Sequence, residues 1–157
     1  MVDQDILRTS LLNNSREVFG TMLGMEVEED ASQPEPELPG NPRVAALIGF
    51  TGAYVGNGTI SCTPQLACAI ASTMMMAEYE TVDGEVVDAL GEMSNMIFGN
   101  VKNDLEEHLG PLQLGIPSVI VGQRFDIHST QKPASVKIAL LTGAHRCDIQ
   151  LCVYPAA

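Results

Sequence analysis

Leu7, Leu11, Leu12, Val18, Phe19 and Met22 recur at the spacing of one helical face. Asp3 and Asp5 stand where a helix start favours acids and Gly24 where a helix ends, so a first helix of about five turns is predicted. From Arg43 to Cys62 the chain changes to a β-type pattern, VAALIGFTGAYVGNGTISC, interrupted by Gly56-Asn57-Gly58. Those three residues tolerate the positive φ of a tight turn, and the pattern predicts a hairpin that reverses there. Thr63-Pro64 reads as an N-cap followed by a first-position proline, and Leu66, Ile70, Met74 and Ala77 share a face, which predicts a second helix over roughly 64–78. A third is bounded by Asp83 and by Gly110-Pro111, with Val87, Leu90, Ser94, Ile97, Val101 and Leu105 along one stripe. Three β-type runs follow, near Ser118–Val121, Ser135–Leu141 and Asp148–Val153. Thr51-Gly52-Ala53 and Thr142-Gly143-Ala144 each sit between two apolar runs, a hint of a duplicated strand pair. The order of elements predicts an α+β fold with helices packed on a sheet.

One segment breaks this pattern. Between Glu26 and Pro42 lie six acidic residues and four of the nine prolines with no basic residue, which predicts an exposed connector without regular structure. The whole chain of 157 residues is the length of one ordinary domain, and a 45% hydrophobic content suffices for a real core. A net charge of −12, with no cluster of Lys or Arg, argues against nucleic acid and anionic membrane as partners and favours a surface that is cationic where it touches. No apolar run is long enough to span a bilayer, and Met1–Asp5 lacks the start of a secretion signal, so a soluble, cytoplasmic protein with reduced cysteines is expected.

Candidate chemistry gathers on the third helix. Placed at about 100° per residue, its apolar stripe faces the sheet, and the opposite face collects Glu85, Asp88, Glu92, Asn95, Gly99, Asn103 and Glu106. Asn and Gly both weaken helices, Gly by about 1 kcal/mol relative to Ala, so an idle solvated face would rarely carry them. Glu92 and Asn95 project from neighbouring turns, and Gly99 leaves a flat place one turn further along where another backbone could approach. The face offers a carboxylate to hold a cation and a carboxamide to orient water, with no nucleophile beside a base. The bland alternative is a solvated face with an incidental asparagine.

The stretch Asp88-Ala89-Leu90-Gly91-Glu92-Met93-Ser94-Asn95-Met96-Ile97-Phe98-Gly99-Asn100-Val101-Lys102 resembles the signature helix of the CheC/CheX/FliY chemotaxis phosphatases, with its E-x-x-N core followed by glycine and asparagine. The order of the first helix, the Gly-rich strand pair, the IAS-type helix and the Pro-Ser-Val-Ile strand is similar to the CheX branch. The resemblance implies a single CheX-like domain over residues 1–157, a mainly antiparallel sheet with long helices on it, and a phosphatase of phosphorylated CheY-type response regulators. It further implies that Asn95 positions the attacking water, that Glu92 anchors the lysine of the receiver, and that Asp88, Gly99 and Asn103 belong to the docking face. The receiver would bring the phosphate and Mg²⁺, so no metal or cofactor is expected on this chain. CheX relatives pair through their sheets, which implies a homodimer. The CheC branch repeats the motif on its first helix; here Gly20 stands three residues after Glu17, so one site per chain is expected. The rival reading is a noncatalytic module that docks a receiver or motor component through the same helix, against which stands the presence of the amide, since docking alone does not require it.

Other candidates carry less. Cys62-x₅-Cys68 is spaced too widely for a zinc knuckle and Cys147-x₄-Cys152 stands at the upper limit of that spacing; both pairs read as buried thiols. His108, His128 and His145 are scattered, and Asp126-Ile127-His128-Ser129 is too compact to form a triad on one strand, where neighbours alternate faces. Met74-Met75-Met76 reads as part core, with an adaptable or subunit-contacting remainder.

Overall fold

The computed structural model describes residues 2–30, 42–122 and 134–156. The interior of the acidic connector and the Asp126–Ser129 stretch lie outside the described residues. The elements run α1 (Gln4–Glu17), a π-helical turn (Val18–Met22), β1 (Glu28–Glu29), β2 (Arg43–Gly52), β3 (Tyr54–Cys62), α2 (Pro64–Met75), α3 (Gly84–Leu109), β4 (Leu112–Leu114), β5 (Ser118–Gly122), β6 (Ala134–Thr142) and β7 (His145–Pro155). The seven strands form one antiparallel sheet in the order β1-β6-β7-β3-β2-β4, with β5 also paired to β2. The α+β architecture is that expected from the sequence.

Alternation along the strands sets which side is covered. Val44, Ala46, Ile48 and Phe50 of β2, Ile60 and Cys62 of β3, Ile138 and Leu140 of β6, and Cys147, Ile149, Leu151 and Val153 of β7 join one core with the helices. The other face carries Asn57, Thr59, Ser61, Lys137, Asp148 and Gln150. Arg43 lies across it, donating from Nη2 to Asp148 Oδ2 at 2.9 Å and from Nε to Ser61 Oγ at 3.2 Å.

Four expectations need correction. Gly56-Asn57-Gly58 is not a turn: it lies within β3, and the hairpin reverses at Gly52 and Ala53, where Gly52 takes φ +134°. The glycines serve close approach instead. A Cβ on Gly56 would sit 1.9 Å from the Cys152 carbonyl oxygen, and one on Gly58 would sit 2.3 Å from the Phe98 ring. Thr142-Gly143-Ala144 makes the corresponding turn between β6 and β7, with Gly143 at φ +59°, so the repeated tripeptide does mark two hairpins. Second, the π-helical turn shifts the helical frame after Glu17, leaving Met22 60% exposed while Val18 and Phe19 stay buried; Gly24, at φ +62°, ends the segment. Third, the start of the acidic connector is ordered. Glu28–Glu29 pairs with β6, Glu29 pairs with Arg8, and Asp30 pairs with Arg146, so basic residues distant in sequence hold acids that look unpartnered locally. The second helix also ends at Met75, earlier than expected, with Met76 in the left-handed region at φ 53° and Ala77 exposed beyond it.

Gly58 fixes how deeply α3 can sit. Phe98 is fully buried, packs edge-on against Phe50 with ring centroids 6.1 Å apart, and covers Gly58. Gly58→Ala is expected to cost about 1–3 kcal/mol as an overpacked site, read as a lowered midpoint in chemical denaturation. The double variant Gly58→Ala/Phe98→Leu should lose less than the sum of the two single changes, because the smaller side chain vacates the colliding volume.

Candidate functional site

The chain makes α3 a defined, two-sided helix. Asp83 caps it by accepting a hydrogen bond from the Val86 N–H at 3.0 Å, Glu85 sits in the first turn, and Gly110 at φ +79° stops it. Val86, Ala89, Leu90, Met93, Ser94, Ile97, Phe98, Val101 and Leu105 are buried. Glu85, Asp88, Glu92, Asn95 and Asn103 are exposed, as the helical wheel predicts, whereas Gly99 and Glu106, placed on the same face, are half-buried.

Glu92 and Asn95 therefore stand side by side on successive turns. Among the described residues neither makes a hydrogen bond or ion pair. Their functional groups are free to engage a second molecule. Ser94, between them, points the other way, is fully buried and finds no hydrogen-bond partner among the described residues, so it is not an accessible nucleophile.

Surroundings differ on the two flanks of this ridge. On one, Gly91 and Gly99 let the chain after α3 lie close: a Cβ on Gly91 would meet Pro117 Cγ at 3.7 Å, and one on Gly99 would meet Leu114 Cδ2 at 3.9 Å. Ile116, between those two contacts, is 91% exposed. On the other flank a groove is lined by Met74, Met75, Glu85, Asp88, Ala89 and Glu92. Asp88 thus joins Glu92 in one feature. Asn103 does not: eleven residues beyond Glu92, it lies about 16 Å farther along the axis. Glu106, still farther, is structural. Its Oε1 accepts from the Leu112 N–H at 3.0 Å and pairs with Lys102, and both contacts hold its carboxyl below the usual range.

Ile116 escaped sequence reasoning because a single apolar residue between Gly115 and Pro117 belongs to no periodic pattern. The methionine run divides as its composition allows: Met74 packs partly against the core, while Met75 is 51% and Met76 93% exposed.

The other candidates supply no chemistry. Cys62, Cys68, Cys147 and Cys152 are all free thiols and buried. Burial pushes the Cys62 thiol up to about 12 and Cys147 well above its ordinary range, so both stay protonated and unreactive at neutral pH. His108 is exposed and His145 half-buried, while His128 lies outside the described residues. Among the described residues no group of three or more His, Cys, Asp or Glu is placed to hold a metal ion, and no helix is long and apolar enough to cross a membrane.

A family model described as "Chemotaxis phosphatase CheX" matches residues 44–141. The chain is 28% identical over 122 residues to the CheY-P phosphatase CheX of Thermotoga maritima, covering 76% of this chain and 78% of that protein. The solved chemotaxis protein CheX from Vibrio vulnificus shares the fold with a TM-score of 0.82 at 23% identity, covering 98% of this chain and 100% of that one. A chain of the CheX–CheY–BeF₃–Mg²⁺ complex from Borrelia burgdorferi does so with a TM-score of 0.75 at 18% identity, covering 93% and 96%. The family match takes in well over half of the sequence, including the whole of α3 with its Glu92–Asn95 ridge, and the chain belongs to the CheX family of chemotaxis phosphatases.

Proposed function

We propose that this protein hydrolyses the aspartyl phosphate of a CheY-type receiver in the cytoplasm, using Asn95 to orient the attacking water and Glu92 to anchor the receiver through its lysine. The observation that carries the reading is the exposed carboxylate and carboxamide, unpartnered among the described residues, on adjacent turns of a helix whose other side is packed. The Thermotoga relative is by name a CheY-P phosphatase, and the Borrelia relative was solved together with CheY, which supports a receiver as the partner.

The chemistry suits so sparse a site. In-line attack of water on the phosphorus expels the receiver's aspartate as a carboxylate, a step that needs alignment and charge stabilisation more than a strong nucleophile. An amide donates and accepts hydrogen bonds together, so Asn95 can hold a water oxygen at the angle of attack without becoming charged. The receiver brings the phosphate, Mg²⁺ and cationic groups. Asp88 and Gly99 extend the docking face, with Asn103 at its margin. A homodimer belongs to the same reading, and the exposed Ile120 and Val121 of edge strand β5 support it.

The test is phosphate release from phosphorylated receivers of the same source. Asn95→Ala should lower turnover by about 100-fold or more while the phosphorylated receiver still binds, the signature of a contact made in the transition state. Unchanged turnover in that variant would overturn the assignment. Glu92→Gln should weaken receiver binding by about ten-fold, and the wild-type affinity should fall as salt rises. An affinity insensitive to both would remove Glu92 from the anchoring role. Among the described residues a Cβ at Gly99 would meet Leu114 alone, at ordinary contact distance, so Gly99→Ala should stabilise the free protein by about 0.4–1 kcal/mol. Gly99→Gln should keep the melting temperature yet slow dephosphorylation, because its bulk stands where the receiver approaches; wild-type affinity and turnover in a stable Gly99→Gln protein would refute that.

A further inference from the structure

The groove beside Glu92 is not used by the hydrolytic step. It lies between the last turn of α2 and the first half of α3, with a volume of about 240 Å³. That is below the roughly 300–1,000 Å³ of small-molecule pockets and fits a single long side chain. Its wall on α3 carries carboxylates at Glu85, Asp88 and Glu92, its floor is Ala89, and its wall on α2 is the methionine pair Met74 and Met75, with no Lys or Arg in the lining. Spacings of three and four residues put these like charges next to one another, which costs a helix about 0.2–0.5 kcal/mol per pair. The helix N-terminus offsets this for Glu85 in the first turn and much less for Asp88 and Glu92. Glu85 is also oriented. It accepts a hydrogen bond from the Tyr79 hydroxyl, which pushes the Tyr79 pKa up to about 12 and keeps the donor protonated.

Carboxylates beside polarisable thioethers make complementary surroundings for an aliphatic stem that ends in a cation. Glu92 is both the end of the groove and a member of the Glu92–Asn95 ridge, so a protein seated on the ridge also covers the groove. We propose that the groove receives a lysine or arginine side chain from the receiver surface, with its stem on Met74 and Met75 and its charge between Glu85 and Asp88. This rests on the receiver reading above. The groove is then a specificity subsite: it selects receivers that present a cation at the right distance from the phosphorylated aspartate.

The experiment uses the receiver that the wild-type protein dephosphorylates, loaded with beryllofluoride for binding and with phosphate for turnover. Glu85→Gln keeps an acceptor for Tyr79 and removes the charge. It should raise KM and Kd about three- to five-fold at low salt, with turnover at saturation held and the difference vanishing at high salt. Met75→Ala should raise KM without changing the salt dependence. The methyl resonances of Met74 and Met75 should shift when the loaded receiver is added to wild type. Unchanged KM and Kd in both variants, with methyl resonances that do not move, would overturn the groove proposal. If Asn95→Ala still abolishes turnover in that case, the phosphatase reading stands without it. Variants that alter self-association instead of receiver affinity would assign the groove to a second copy of this chain and likewise overturn the proposal. A wild-type protein that binds and dephosphorylates no receiver from its source would sink both readings.

Discussion

The packing of Phe98 over Gly58 sets where α3 lies and which way its exposed face points. Because β3 offers no Cβ at that point, the ring rests on the backbone of the sheet and draws the middle of α3 against it. A helix held on its inner side by a stripe from Val86 to Leu105 has no freedom to roll. Glu92 and Asn95, about half a turn away from that stripe, are consequently fixed in direction by packing they do not share. Their orientation costs them no hydrogen bond of their own, which leaves each group available to a partner.

This separates the roles within one helix. Buried residues decide where α3 lies, exposed ones form the surface it presents, and the helical period interleaves the two sets. An amide on a rigid helix suits alignment chemistry, since a water held by a side chain whose base does not move needs little further ordering before reaction. There is no reactive cysteine, the serine beside the motif faces inward, and the described residues offer no metal cluster.

The legible parts of the sequence were those in which local and long-range forces agree. In α3 the cap at Asp83, the stop at Gly110 and the apolar stripe all specify one helix, and the exposed ridge follows from the wheel. Legibility failed where a residue answers to something distant. Gly56 and Gly58 carry local turn chemistry, yet β7 and Phe98 are what require them. Glu29 and Asp30 look like the start of an unstructured acidic run because Arg8 and Arg146, which hold them, are invisible at short range. The three-residue β4 is too short for any period to register, and the π-helical turn that exposes Met22 changes the period itself. The Glu92–Asn95 pair was readable from spacing together with resemblance, whereas the groove needed two helices brought side by side.

The interleaving in α3 also bears on how such a protein diversifies. Glu85, Asp88 and Glu92 are exposed and lie outside the packed core, so they can change with little effect on the fold beyond the Tyr79 hydrogen bond to Glu85. Gly99 already sits at a helical position where almost any other residue would favour the helix. Among the described residues an alanine there would meet Leu114 only at ordinary contact distance, so this turn of the helix holds stability in reserve that the glycine leaves unused.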